Sequence, residues 1–199
     1  MELSLWLLFV VTFASALAIP GANAAYAIAQ TLSNGPQKGL LASAGFAFAT
    51  GLNIVIVLTG LGLILSRFID VLIYLKWIGV CYLLYMAYKA FTADAANPQA
   101  KNAVKNSRVF AFAVMVSLSN SKVVLINIML LPLFLVPEKS LVLQGIVIMA
   151  TGTVLSFIVY SAYALIASKF ISRLKTKIAN RVVGSVYTGA GVALASINK

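Results

Sequence analysis

Six runs of mainly apolar residues, at roughly 4–31, 39–65, 71–91, 109–135, 140–167 and 180–197, constrain this 199-residue chain more than any other feature. About 20 such residues cross the hydrocarbon of a bilayer as a helix, and a helix in lipid satisfies its backbone polar groups internally. Hydrophobic residues make up 62% of the chain and charged residues 10%, against about 45–50% and about 25% in a soluble domain. Too little polar surface remains to cover a water-facing globule. The expectation is an all-α integral membrane protein of six transmembrane helices, a single domain over 1–199. Its longest loop is a polar linker at 92–108 that contains Asn97-Pro98.

The first run ends in Ala16-Leu17-Ala18-Ile19-Pro20-Gly21-Ala22-Asn23-Ala24-Ala25, where two small-x-small triplets imitate a signal-peptide cleavage site. A signal peptide begins with positive charge, whereas this chain begins Met1-Glu2-Leu3-Ser4. The stretch is therefore expected to stay as the first span.

Charge gives each loop a side. The loops after spans 1, 3 and 5 hold Lys38, then Lys89, Lys101, Lys105 and Arg108, then Lys169, Arg173, Lys175, Lys177 and Arg181. The opposite side holds Arg67, Lys139 and Lys199. Lysine and arginine collect on the cytoplasmic side, so both termini are expected outside a cell inner membrane. The net charge of +11 is thereby a topology signal, with anionic lipids as neighbours and no call for nucleic acid. A single cysteine, Cys81, forms no internal disulfide, and the absence of histidine removes His-based metal sites and the commonest general base. No metal, cofactor or catalytic residue is expected.

Ala49-Thr50-Gly51 recurs as Ala150-Thr151-Gly152, an offset of 101 that carries Pro20 onto Ser121 and Lys76 onto Lys177. Three spans per half is an odd number, so halves at about 1–91 and 109–199 are inverted copies. Such repeats typify secondary transporters, whose sites lie near the midplane where interrupted helices meet. Spans 1 and 4 are the interrupted pair: each is longer than a straight crossing needs. Pro20 removes a backbone donor and Gly21 loosens the turn, exposing carbonyls of the turn before. Lys122 lies roughly 20 Å into span 4 at 1.5 Å per residue, and intramembrane charges default to function. The alternative for Lys122 is a structural tie to broken-helix carbonyls.

At this point the sequence resembles the lysine exporter (LysE/RhtB) family of amino-acid efflux proteins. The likeness rests on Pro20-Gly21-Ala22-Asn23, the glycine-rich Gly35 to Gly51, the block from Lys76-Trp77-Ile78-Gly79 to Tyr82-Leu83-Leu84-Tyr85, Asn120-Ser121-Lys122, and Leu131-Pro132-Leu133-Phe134. Three positions depart from the pattern. Ala22 replaces the second proline of Pro-Gly-Pro, Ser121 that of Asn-Pro-Lys, and Leu133 sits where a glutamine is common. Some members also carry an acidic residue near the positions of Thr50 and Asn53.

The expected substrate-binding set is Pro20, Gly21, Asn23, Asn120 and Lys122. Asn53 and Asn127 either line a polar path or bond between helices. Lys76 is expected to snorkel, Asp70 and Arg67 to pair locally, Trp77, Tyr82, Tyr85 and Tyr88 to pack or sit at the interface, and Gly184, Gly189 and Gly191 to permit close packing. No phosphate-binding loop is present, so energy comes from a gradient. The resemblance implies proton antiport, although no carboxylate lies deep in a span. The expected cargo is a neutral zwitterionic amino acid or small derivative: its carboxylate meets Lys122 and helix N-terminal donors, its ammonium the carbonyls before Pro20 and the amide oxygens of Asn23 and Asn120. A homodimer is admitted. A second reading is a non-transporting subunit or sensor that keeps the fold.

Overall fold

A computed structural model describes residues 1–60 and 104–171, with positions 77, 80, 81, 84, 85, 87, 88, 91, 92, 181, 184–189 and 192. Most of the expected third and sixth spans, with Lys76, Asp70, Arg67 and most of the linker, lie outside the described residues. The elements are α1 (Leu3–Ala18), α2 (Ala22–Asn34), α3 (Pro36–Leu58), α4 (Asn106–Leu118), α5 (Ser121–Leu130), a 3₁₀ turn (Leu131–Phe134) and α6 (Leu141–Ile171). No strand occurs among the described residues.

Two helices, α3 and α6, are long and apolar enough to cross a membrane unbroken. Two more of the six expected spans, the first and fourth, are bent pairs: α1 and α2 meet at 62°, and α4 meets the helical stretch through Phe134 at 57°. The first bend falls at Ile19-Pro20-Gly21 and the second at Ser119-Asn120. The interruptions expected in spans 1 and 4 are therefore present, about one repeat offset apart.

Local chemistry sets the remaining ends. Gly35, at φ 90°, donates its N–H to the Thr31 carbonyl and closes α2, and Pro36 opens α3 at once. Only glycine adopts that φ without strain, and proline suits a first helical position because its missing N–H would find no partner there. The second span was expected to run to residue 65, but α3 stops at Leu58. Thr59 turns its hydroxyl back onto the Val55 carbonyl and Gly60 takes φ 76°, a conformation that leaves the helix. Fully buried Gln144 closes the turn before α6, exchanging hydrogen bonds of 3.0 Å with both the N–H and the carbonyl of Val136.

Contacts along the helices give their directions. On α3 and α6, Gly39 lies against Ala164, Thr50 bonds Ser156, Ile54 lies on Gly152 and Leu58 on Gly145. Numbers rise on one as they fall on the other, so the pair is antiparallel. The same reasoning makes α1 parallel to α6, since Trp6 bonds Thr151 and Ala18 bonds Tyr163. It makes α2 antiparallel to α4, since Asn23 bonds Ser117 and Tyr26 bonds Val109. At one end of the bundle the start of the chain meets the turn before α6 through a 3.1 Å Lys139–Glu2 ion pair. At the other end Lys38 bonds the Val104 carbonyl and Asn106, at the start of α4.

The core is aromatic and small-residue. At the first end Phe9 stacks on Phe13 and meets Phe134 edge-to-face, and Tyr26, Phe46, Tyr160 and Tyr187 form an edge-to-face chain nearer the other. A Cβ on Gly45 would lie 2.7 Å from that of Ala113 and 2.9 Å from the Phe110 carbonyl oxygen. Small residues thus let α3 and α4 approach, the usual device where lipid gives no hydrophobic drive to association. Trp77, Tyr85 and Tyr88 are exposed, and Gly184 lies against the Phe91 ring.

Candidate functional site

The two bends come together, and a polar layer fills the place where they meet. The chain leaves the helix at Ile19-Pro20-Gly21, so the last carbonyls of α1 are short of helical partners. Two side chains from other elements supply them. The Tyr163 hydroxyl donates to the Ala18 carbonyl at 2.6 Å, and Lys122 Nζ donates to the Ile19 carbonyl at 2.7 Å. A helix C-terminus carries partial negative charge, so an ammonium there is favourable by about 0.3–1 kcal/mol. Gly21 opens α2 with no side-chain cap, and the lysine stem passes it: Lys122 Cδ is 4.0 Å from where a Cβ on Gly21 would be.

The second bend supplies its own partners. Asn120, in extended conformation, caps α5 by accepting the Lys122 N–H on its side-chain oxygen at 3.2 Å. Its backbone carbonyl takes the N–H groups of Val123 and Val124 at 2.9 and 3.1 Å. The same residue joins the bends, since Asn120 Nδ2 donates to Asn23 Oδ1 at 3.0 Å. Asn23 Nδ2 then donates to Ser117 Oγ at 3.1 Å. Asn23 is 1% exposed and Asn120 3%. Close by, Thr50 Oγ1 donates to Ser156 Oγ at 3.0 Å across α3 and α6.

The sequence-predicted residues thus converge: Asn23, Asn120 and Lys122 bond across the two bends that Pro20 and Gly21 help to make. Their partners differ from the expected ones. The carbonyls expected to receive a substrate ammonium are already taken, by Lys122 and Tyr163. The first-turn donors of α5 at Lys122, Val123 and Val124 are taken by Asn120. Ser117, Tyr160 and Tyr163 had no place in the expected set. The available signal was two tyrosines three residues apart, Tyr160 and Tyr163, inside a mainly apolar run, since a Tyr hydroxyl kept from water needs a partner.

Asn127 behaves differently again. It is fully buried, and neither its amide nitrogen nor its oxygen has a hydrogen-bond partner; Asn53 Nδ2 and Ser161 Oγ also lack one. An unpaired polar group in hydrocarbon costs several kcal/mol, so interhelical bonding does not explain Asn127. Lys122 also borders an open cavity of about 480 Å³ whose other walls are Leu125, Ile126, Met129 and Leu130. No group of three or more potential metal ligands exists among the described residues.

The chain is 28% identical over 197 residues to the homoserine/homoserine lactone efflux protein of Salmonella typhi, covering 96% of each. It is 24% identical to an uncharacterized membrane protein of Vibrio cholerae, with 98% of each covered. Identity to the leucine efflux protein of Enterobacter sp. is 22%, with 90% of each covered. No solved structure matches the chain. The profile of the LysE type translocator family matches residues 14–197. With that match over nearly the whole length of an apolar, twice-bent helical bundle, the chain belongs to the LysE type translocator family, membrane transporters and not enzymes.

Proposed function

We propose that the protein is a secondary-active exporter of a neutral, zwitterionic amino acid or small derivative, and that the substrate binds between the two helix breaks. The observation that carries this is the meeting of both breaks around Asn23, Asn120 and Lys122, with a cation on the carbonyl end of α1. Broken helices that present partial charges at the midplane are how such carriers hold small charged solutes. Among the described residues the only carboxylates, Glu2 and Glu138, are exposed. A dibasic amino acid would bring a second positive charge to Lys122 and meet no carboxylate. The efflux relatives are named for homoserine, its lactone and leucine; none of these has a cationic side chain, and all three share the α-amino group.

Six spans in two inverted halves remain the architecture we favour, in a cell inner membrane with both termini outside. Its supports are the antiparallel pairing of α3 with α6 and of α2 with α4, together with bends one offset apart. The end of α3 and the start of α4 also lie at opposite ends of the bundle, and the apolar run at 71–91 accounts for the return. In a Cys81-free background, a cysteine at Glu138 should react from outside intact cells, and one at Gln99 only after permeabilisation.

Inverted membrane vesicles test the function. Radiolabelled homoserine or leucine should accumulate with the unmutated protein, and not with Lys122→Met that reaches the membrane in normal amount. Strong lysine accumulation, or full transport by Lys122→Met, would reject the charge argument. Transport of no amino acid at all would favour the non-transporting reading.

A further inference from the structure

We propose that the Lys122 ammonium is a tethered stand-in for the amino group of the cargo. It occupies the seat on the Ile19 carbonyl that the substrate's ammonium takes on loading. This rests on the reading of the two breaks as the substrate site, and it adds how that site is emptied and filled.

The seat is a cation site by construction. Pro20 ends α1 with unpaired carbonyls at the negative end of the helix dipole. The neighbouring Ala18 carbonyl is held by the neutral Tyr163 hydroxyl, so one charged donor serves the pair. Among the described residues Lys122 is the one cation at either break, and its partner is a backbone oxygen rather than a carboxylate. Among the described residues no negative charge binds it there. A second ammonium reaching the Ile19 carbonyl would face Lys122 at close range in a low-dielectric setting, where like charges repel strongly. The two therefore exclude each other.

Displacement gives Lys122 a second task. Its stem leaves α5 beside Gly21, which carries no side chain, with Lys122 Cδ 4.0 Å from where a Cβ there would lie. The backbone donors of Lys122, Val123 and Val124 are already used by Asn120, so the displaced ammonium is the natural partner for the substrate's carboxylate. The contact Lys122 gives up is also one of the ties between the end of α1 and the start of α5. Loading thus loosens the two breaks from each other, and release lets Lys122 close them again.

Propylammonium, which approximates the excised side chain, tests the seat without knowledge of the substrate. In purified Lys122→Ala it should raise the melting temperature by several degrees, with no such gain in the unmutated protein and none from propionate. In the unmutated protein in nanodiscs, propylammonium should raise acetylation of Lys122 severalfold over that of exposed Lys139. Taking the ratio cancels reagent consumed by the added amine, and this arm does not depend on a folded variant. Absence of both effects overturns the proposal. Efflux measured on the same preparation separates the two ideas. Amino-acid transport without an amine effect removes the stand-in and leaves the substrate site, whereas an amine effect without amino-acid transport makes Lys122 a latch alone and also overturns the stand-in.

Discussion

The two helix breaks bend the chain by similar amounts, 62° and 57°, but they are built from opposite chemistry. At Ile19-Pro20-Gly21 the bend comes from subtraction. A donor is missing, no side chain caps α2, and the freed carbonyls depend on Lys122 and Tyr163, 103 and 145 residues away in the chain. At Ser119-Asn120 the bend comes from substitution, because one asparagine replaces the lost helical bonds through its side-chain and backbone oxygens. One break is self-contained, and the other is completed by the tertiary structure. A break whose bonds come from distant side chains is the one a ligand can compete for, because those side chains can leave without unwinding a helix.

Mutations that remove the borrowed partners at the first break should therefore act on transport more than on the fold. The largest effect is expected from Lys122→Met, which should abolish efflux in a vesicle assay while the protein still reaches the membrane. Asn120→Ala comes next, because it removes both the α5 cap and the bridge to Asn23. A lost cap costs about 0.5–2 kcal/mol and an interhelical hydrogen bond about 0.6 kcal/mol. Its melting temperature in detergent should fall clearly, and an unchanged value would mean the second break is not self-contained. Tyr163→Phe leaves the Ala18 carbonyl without its side-chain donor at a cost of about 1 kcal/mol, measurable as a small drop in melting temperature.

The smallest changes sharpen the contrast. Ser121→Pro should be neutral or stabilising by about 0.4–1 kcal/mol. Asn120 already sits at φ −81°, ψ 96°, close to the extended region a residue before proline favours, and Ser121 is the first residue of α5, where proline is welcome. That substitution would recreate the Asn-Pro-Lys of the family with a small adjustment of the Asn120 ψ. Gly21→Ala should shift stability by no more than about 0.5 kcal/mol, since Gly21 has an ordinary extended φ of −165° and the nearest atom to an added Cβ is 4.0 Å away. A large loss in either variant would show that the backbone at the breaks is more constrained than its dihedrals imply.

What could be read from the residues alone was whatever depends on neighbours along the chain. Residence in a membrane follows from run length and from the scarcity of charge. The first break follows from Pro20, whose missing N–H interrupts any helix, and the second from an asparagine and a lysine inside an apolar run. The 101-residue offset anticipated that the breaks would correspond. The end of α3 was misjudged because residues beyond Gly60 continue apolar, and hydropathy does not register a glycine leaving the helix. The tertiary structure decided which groups complete the first break, that Asn23 and Asn120 bond to each other, and that Asn127 is buried with no partner. Those outcomes depend on where helices far apart in sequence cross, and on which turn of each faces the other at the crossing. Periodicity along a helix shows that a residue can point inward, whereas only packing fixes the carbonyl or hydroxyl it finds there.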